Sequence, residues 1–373
     1  MGLQSISLAI RGPGKPAPAS RIAVANSCLA LYKKYNESPS ALLEQAGRKE
    51  TTTVPHHEID LASIKTYQAS TRPSKVTTTL EGSPLRPGMR FSAFLESLPA
   101  VLKADDFKAV ARAVALARQL GKPVMVMFGG HVIKTGCAPV LAGLAADGFI
   151  THLASNGAAA IHDTELARFG HTSEDVAAQL EDGSFGMAAD TALLVNQAAQ
   201  RAADGREGFG EAVGAMLREE QAPHVERALI GCAHRLNIPY TLHVALGTDI
   251  VHQHPSANGA AIGEASLRDF RIFTATVSKL GSGGVVINIG SAVIMPEVFL
   301  KALAVARNLG YPVKDFTTAN FDMIQHYRPG VNVVQRPVLA GGRGYAITGH
   351  HEIMIPLLAA AIYEYAESGH DRR

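Results

Sequence analysis

Short, largely apolar runs that return after helices of ten or more residues limit this chain to few architectures. Asp105 to Leu120 carries Phe107, Val110, Ala111, Val114 and Leu116 at helical spacing, and Gly121-Lys-Pro ends it before the apolar run Val124 to Phe128. The unit recurs: helix Ala138 to Asp147 with strand Ile150 to Ala154, then helix Val225 to Leu236 with strand Tyr240 to Ala245. Helix Ser266 to Leu280 precedes strand Gly284 to Ile289, helix Pro296 to Leu309 precedes strand Val313 to Thr318, and an apolar helix from Glu352 to Glu364 closes the chain. Runs without polar alternation suit strands buried on both faces. The expected fold is therefore α/β: a doubly wound, mostly parallel sheet with helices on both faces.

The length allows one large domain or two ordinary ones. Of 373 residues, 47% are hydrophobic and 18% charged, enough to bury a sizeable core. A net charge of +2 argues against a nucleic-acid partner, and no apolar run is long enough for a membrane span. The N-terminus lacks a signal-peptide pattern. Cys28, Cys137 and Cys232 have neither disulfide nor zinc spacing, which fits a reducing cytoplasm. Residues 1–54, rich in Gly, Pro, Ser and Thr, read as a mobile or peripheral arm. Residues 55–90, with Pro55, Pro73, Pro84 and Pro87, read as an extended wrap, and residues 91–373 form the body. The stretch Ser173 to Arg218 reads as a helical insertion that caps the strand ends.

A doubly wound sheet binds ligands beyond the carboxyl ends of its strands. That rule selects the loops Gly129–Gly136, Ser155–Asp163, Gly247–His254, Gly290–Ser291 and Thr317–Asp322. GGHVIKTG can cradle a phosphate with Lys134 nearby, or serve as a turn that needs two glycines. In SNGAAAIHD, His162 is a candidate acid/base with Asp163 beside it; the alternative is that both cap and cover a helix end. GTDIVHQHP offers Asp249, His252 and His254, which with His243, His350 or His351 can be a metal set, or hydrogen-bond to substrate or backbone. Arg343, between glycines in GGRGYAITGHHE, suits an anionic group or a surface turn. Cys137 follows Gly136 at a helix start, where a thiolate is stabilised, though a cysteine there also serves as a small packing residue.

These loops, in their order from about Asp105 to Ala360, resemble deoxyhypusine synthase and its relatives, a Rossmann-like group that binds NAD. The resemblance rests on HVIKTG, LASNGAAAIHD, NIPYTLHVALGTD, VVINIGSAVIMPE, FTTAN and EIMIPLLAAAIYE. SNGAAAIHDTELARFG is also similar to a stretch in the NAD-binding domain of archaeal-type ornithine cyclodeaminases. The resemblance implies cofactor contacts at Thr135, Gly136, Ser155, Asn156, Gly157, Asp249, Gly290, Ser291, Thr317 and Thr318, and a homo-oligomer of tetrameric type. It does not carry over the catalytic parts. The family's imine-forming lysine falls near Arg336-Pro337, and its two polyamine-binding glutamates fall at Ile161 and His162. Without those carboxylates a polycation would lie unpaired, so the substrate expected is a small neutral or anionic metabolite.

The leading expectation is an NAD-dependent oxidoreductase or transferase. His162 and Asp163 would supply acid/base groups, Asp249 would orient cofactor or substrate, and Arg343 or Arg336 would hold an anion. The alternatives are a metal-dependent lyase or hydrolase centred on His252, His254 and either His350 or His351, and a non-catalytic nucleotide-binding protein.

Overall fold

The structure, a computed structural model, describes residues 56–205 and 207–368. The expected arm, residues 1–54, lies outside them. The chain divides into two units between Pro73 and Ser74. Of the first, residues 56–73 are exposed throughout and hold one 3₁₀ turn, Ala69–Thr71. In the second, residues 74–90 are extended apart from the 3₁₀ turn Thr78–Leu80, and helical structure starts at Phe91.

Six strands form one wholly parallel sheet: β1 (Val124–Phe128), β2 (His152–Asn156), β3 (Tyr240–His243), β4 (Val285–Ile289), β5 (Phe316–Asp322) and β6 (Gly342–Thr348). Their spatial order is β3-β2-β1-β4-β5-β6, so the winding reverses between β1 and β4. The apolar runs become strands because both faces are covered. Val124, Val126 and Phe128 of β1 enter one core and Met125 and Met127 the other, as the two-residue period of a strand requires.

Among the described residues the α-helices of five residues or more are α1 (Phe91–Ser97), α2 (Leu102–Gln119), α3 (Gly130–Lys134), α4 (Ala138–Ala146), α5 (Gly157–Phe169), α6 (Val176–Asp182), α7 (Ala189–Asp204), α8 (Phe209–Glu219), α9 (Leu229–Leu236), α10 (Gly259–Val277), α11 (Ile294–Asn308) and α12 (His351–Ser368). Phe273 of α10 and Phe299 of α11 pack on the Met125 side, while α2, α4, α5 and α12 pack on the Val126 side. None of the described helices is long and apolar enough to cross a membrane.

Three expectations need correction. GGHVIKTG is not a loop: Gly130–Lys134 is a helical turn, and only Thr135 and Gly136 follow it as connection. The strand expected at Val313 to Thr318 runs instead from Phe316 to Asp322, so the segment assigned to a rim loop lies inside the sheet. GGRGYAIT, read as a turn, supplies edge strand β6. The stretch after Ser173 is helical, as expected, and forms α6, α7 and α8.

Candidate functional site

The carboxyl rim gathers the ends of all six strands: Phe128, Asn156, His243, Ile289, Asp322 and Thr348. Over β1 and β2 it opens into a cavity of about 280 Å³, lined by Lys134, His162, Glu165, Asp249, Val176 and Phe185 among others. Helix α5 forms its wall. The Asn156 side chain caps it by accepting from Ala159 N at 3.1 Å, and Gly170, at φ 72°, ends it in a left-handed turn.

His162 and Glu165 stand one turn apart on this helix. His162 Nδ1 lies 2.7 Å from Thr172 Oγ1, and the Thr172 hydroxyl donates to Glu165 Oε2. Glu165 Oε1 also receives the Thr191 hydroxyl at 3.2 Å. A carboxylate only accepts, so the Thr172 proton points to Glu165 and the Thr172 oxygen accepts from His162 Nδ1–H. The Nε2 lone pair is then left for the cavity. Burial, and secondly the nearby Lys134 ammonium, hold the imidazole pKa down at about 4, so the ring is neutral near pH 7. The result is an oriented base backed by a carboxylate.

Asp249 faces the same cavity from the turn after β3. It packs so closely on Gly157 that no side chain at 157 would fit beside it. Its Oδ2 is buried without a hydrogen-bond partner, and burial pushes the carboxyl up to about 6. His252 holds this turn closed: its Nδ1 accepts from Gly247 N at 3.2 Å and Asp249 N at 3.3 Å.

Other expected residues are placed differently. Asp163 is fully buried on the opposite side of α5, where its carboxylate accepts from Leu229 N and Ile230 N and so caps α9. Ser155 is on the rim strand, but its hydroxyl is bonded to Tyr240 Oη at 2.8 Å inside the protein. Thr135 Oγ1 donates to His131 O at 2.9 Å, and Gly136 takes φ 76° in the following turn. Gly290 and Ser291 do lie on the rim, and Ser291 Oγ accepts from Met295 N at the start of α11.

Thr317, Thr318 and Arg343 do not reach the rim. Thr317 pairs with Val285 and Arg343 at the amino ends of their strands. Five residues of extended chain put Arg343 roughly 17 Å below Thr348. The four candidate metal ligands are also kept apart. His252 and His254 follow β3 while His350 and His351 follow β6, the two edges of the sheet, separated by five strand spacings or roughly 24 Å. Among the described residues no three of His, Cys, Asp or Glu form a group suited to a metal ion. His254 is bonded to Ser256, while His351 is buried beneath Gly290 with both ring nitrogens unpartnered, its Nε2 3.9 Å from Asp322. Cys137 is buried, and burial raises its thiol pKa, which removes the expected thiolate.

Glu165 at i+3 from His162 is legible as a helical neighbour. Thr172, beyond the helix-ending glycine, carries no local signal. A second cavity of about 290 Å³ opens near the amino end of β3, but its acid, Asp269, is taken up by the backbone amides of Phe209, Gly210 and Leu242.

No protein-family model and no curated protein matches the chain. Among solved structures it is similar to a conserved protein of Methanococcus maripaludis S2 given a provisional LOR/SDH assignment, with 17% identity, 71% of this chain and 70% of that chain covered, and a TM-score of 0.46. It is also similar to AgrE in a ternary complex with ornithine and NAD+, with 15% identity, 73% and 36% coverage, and a TM-score of 0.47. For a provisionally assigned deoxyhypusine synthase of Entamoeba histolytica the identity is 11%, the coverage 76% and 96%, and the TM-score 0.46. The chain spans about a third of the AgrE chain.

Proposed function

We propose that this chain is a nicotinamide-dinucleotide-dependent enzyme acting on a small neutral or anionic metabolite, with His162 as its proton-transfer group. The observation that carries this reading is the His162–Thr172–Glu165 chain opening on a rim cavity. The sheet beneath it has the strand order that dinucleotide-binding folds use.

The rim suits a dinucleotide where the winding reverses. Gly129 and Gly290 follow the adjacent strands β1 and β4, and a methyl group on Gly129 would stand 2.6 Å from Gly290 O. Gly290 itself has φ 62° and lies against the His351 ring, so the two glycines let the ends of β1 and β4 pack backbone to backbone at the reversal point, where folds of this strand order take the dinucleotide. One feature departs from the usual pattern. β2 ends in Asn156, whose Oδ1 caps α5, where a carboxylate usually meets a ribose.

The dinucleotide, when bound, would take up or supply the hydride. His162 Nε2 would accept the proton from a substrate hydroxyl or amine, while Thr172 and Glu165 hold the ring and stabilise its charged form. Lys134 would face an anionic group, and the unpartnered Asp249 Oδ2 would accept from a substrate donor. Asp163, Arg343, Thr317 and Thr318 have no part in this reading.

Calorimetric titration with NAD+ and NADP+, followed by a screen of hydroxy and amino acids for nicotinamide absorbance changes, tests it. Saturable binding of one nucleotide, with turnover that falls in His162→Gln, is expected. A protein that binds neither nucleotide defeats the proposal.

A further inference from the structure

A third cavity, of about 480 Å³, lies on the far side of α5 from His162. Ile133, Pro139, Leu166 and Phe169 make its apolar wall, and His224 and Arg227 stand at its edge. These two residues are built into a fixed turn. His224 N donates to Ala167 O at 2.8 Å, which ties the segment to α5, and Arg227 N donates to His224 O at 2.9 Å. His224 precedes the 3₁₀ turn Val225–Arg227, and the exposed side chains at the two ends of this segment both line the cavity. The ring also packs over the end of α5: a methyl group on Gly170 would stand 3.0 Å from His224 Nε2.

The charges around this turn leave Arg227 unmatched. The neighbouring carboxylate, Glu226, is shared by Arg218 at 2.8 Å and Arg235 at 2.9 Å. Glu220 is paired with Arg168 at 3.0 Å. Asp163, which also lines the cavity, is locked onto the Leu229 and Ile230 amides. Arg227 has no ion pair or side-chain hydrogen bond among the described residues, although it is placed beside an apolar recess large enough for a ring system. A free guanidinium fork takes two oxygens of an anion, and an imidazole lining the same recess can engage a third, which a phosphate offers and a carboxylate does not.

We propose that this cavity is a second ligand site, which takes a phosphate monoester carried on an apolar or aromatic body. Arg227 and His224 hold the phosphate, and the body lies against Leu166 and Phe169. The same chemistry has two sources: a free phosphate ester, or the 2′-phosphate of an NADP-type dinucleotide. The site does not depend on the reading of the His162 cavity, because a free ester would bind whatever reaction occurs there.

Calorimetric titration with phenyl phosphate and inorganic phosphate tests the site. The full chain is compared with Arg227→Ala, Arg227→Lys and, as a control on a distant exposed cation, Arg271→Ala. Phenyl phosphate should saturate the protein and bind more tightly than inorganic phosphate. Arg227→Ala should weaken it about tenfold or more, Arg227→Lys less, and Arg271→Ala not at all. If Arg227→Ala also weakens NADP+ but not NAD+, the dinucleotide is the source; if both nucleotides are unaffected, a free ester is. Failure of phenyl phosphate and NADP+ alike to saturate the protein up to about 10 mM overturns the proposal. So does binding that survives Arg227→Ala with an unchanged melting temperature.

Discussion

The Asp249 carboxylate occupies the space that a side chain at Gly157 would fill. The turn after β3 is thereby seated on the first residue of α5, and the cavity acid is fixed relative to His162, which the same helix carries. Gly157→Ala should cost about 1–3 kcal/mol of stability, the usual range for overpacking a closed site. Asp249→Ala in the same chain should recover most of that loss. Urea unfolding of the two single variants and the double variant measures the coupling. Additive effects would mean that the two residues do not share the space described.

The orientation of His162 gives a kinetic prediction. His162→Gln should lower kcat/KM by about 10²- to 10⁴-fold, the range of general acid–base catalysis. Thr172→Val keeps the imidazole but releases Nδ1, so kcat should fall with little change in KM. The acid limb of the kcat/KM profile should lie near pH 4, because burial and Lys134 lower the His162 pKa. Lys134→Met should move that limb upward. A limb set by Asp249 would not move, since burial alone accounts for its shift to about 6. A profile unchanged by Lys134→Met would remove His162 as the base.

Two further histidines predict how stability depends on pH. His152 and His243 both bond to Thr241 Oγ1 at 3.0 Å, and burial lowers each pKa to about 3. As the pH falls below 6.5 the unfolded chain takes up these protons before the folded chain does. Their contribution is therefore complete above pH 6.5 and is lost between 6.5 and 3. Asp163 and Asp269, raised by burial to about 7, act in the opposite sense from pH 7 down to about 4, so the net slope mixes both. The comparison with His243→Leu separates them. This variant keeps the His152–Thr241 bond and should show a shallower acid loss by one proton's worth. Parallel unfolding curves for the two proteins at every pH would contradict it.

What could be read from sequence follows from where polarity sits. β1 is apolar on both faces and β4 is interrupted only by Asn288, so VMVMF and VVINI announce buried strands, and the rim rule then leads to Gly157, Asp249 and Gly290. β5 is shifted from its sequence signal because FTTANFD buries Thr318, Asn320 and Asp322 inside a parallel sheet, while the apolar signal lies upstream at Val313. β6 is an edge strand with exposed, glycine-bearing amino-terminal residues, so neither continuity nor alternation marks it. The rim chemistry was only half visible. Glu165 lies one helical turn from His162, whereas Thr172 meets it only because Gly170 turns the chain back. The histidines separate for the same reason in reverse: nothing local to HQH or GHH tells which sheet edge each follows.

The polar residues that hid β5 are themselves a stability device. Asn288 of β4 and Asn320 of β5 are register partners. Asn288 Nδ2 donates to Asn320 Oδ1 at 2.7 Å and to Ser291 O at 3.0 Å, while Asn320 Nδ2 reaches Gln325 Oε1 at 2.8 Å. The pair thus ties two strand ends to the loops that shape the rim, and Gln325 extends the tie to Ile347 O of β6. Asn320→Leu should cost about 1–3 kcal/mol, because it leaves a buried Asn288 short of a partner. The double change Asn288→Leu with Asn320→Leu should be less destabilising than the single one. No orphaned amide then remains between the strands, and Asn288 Oδ1, unpartnered at present, is removed with it. Gln325 is exposed and can bond to water instead. Chemical denaturation of the three proteins distinguishes the cases: if the double variant is the least stable, the pair contributes through its shape and not through its hydrogen bonds.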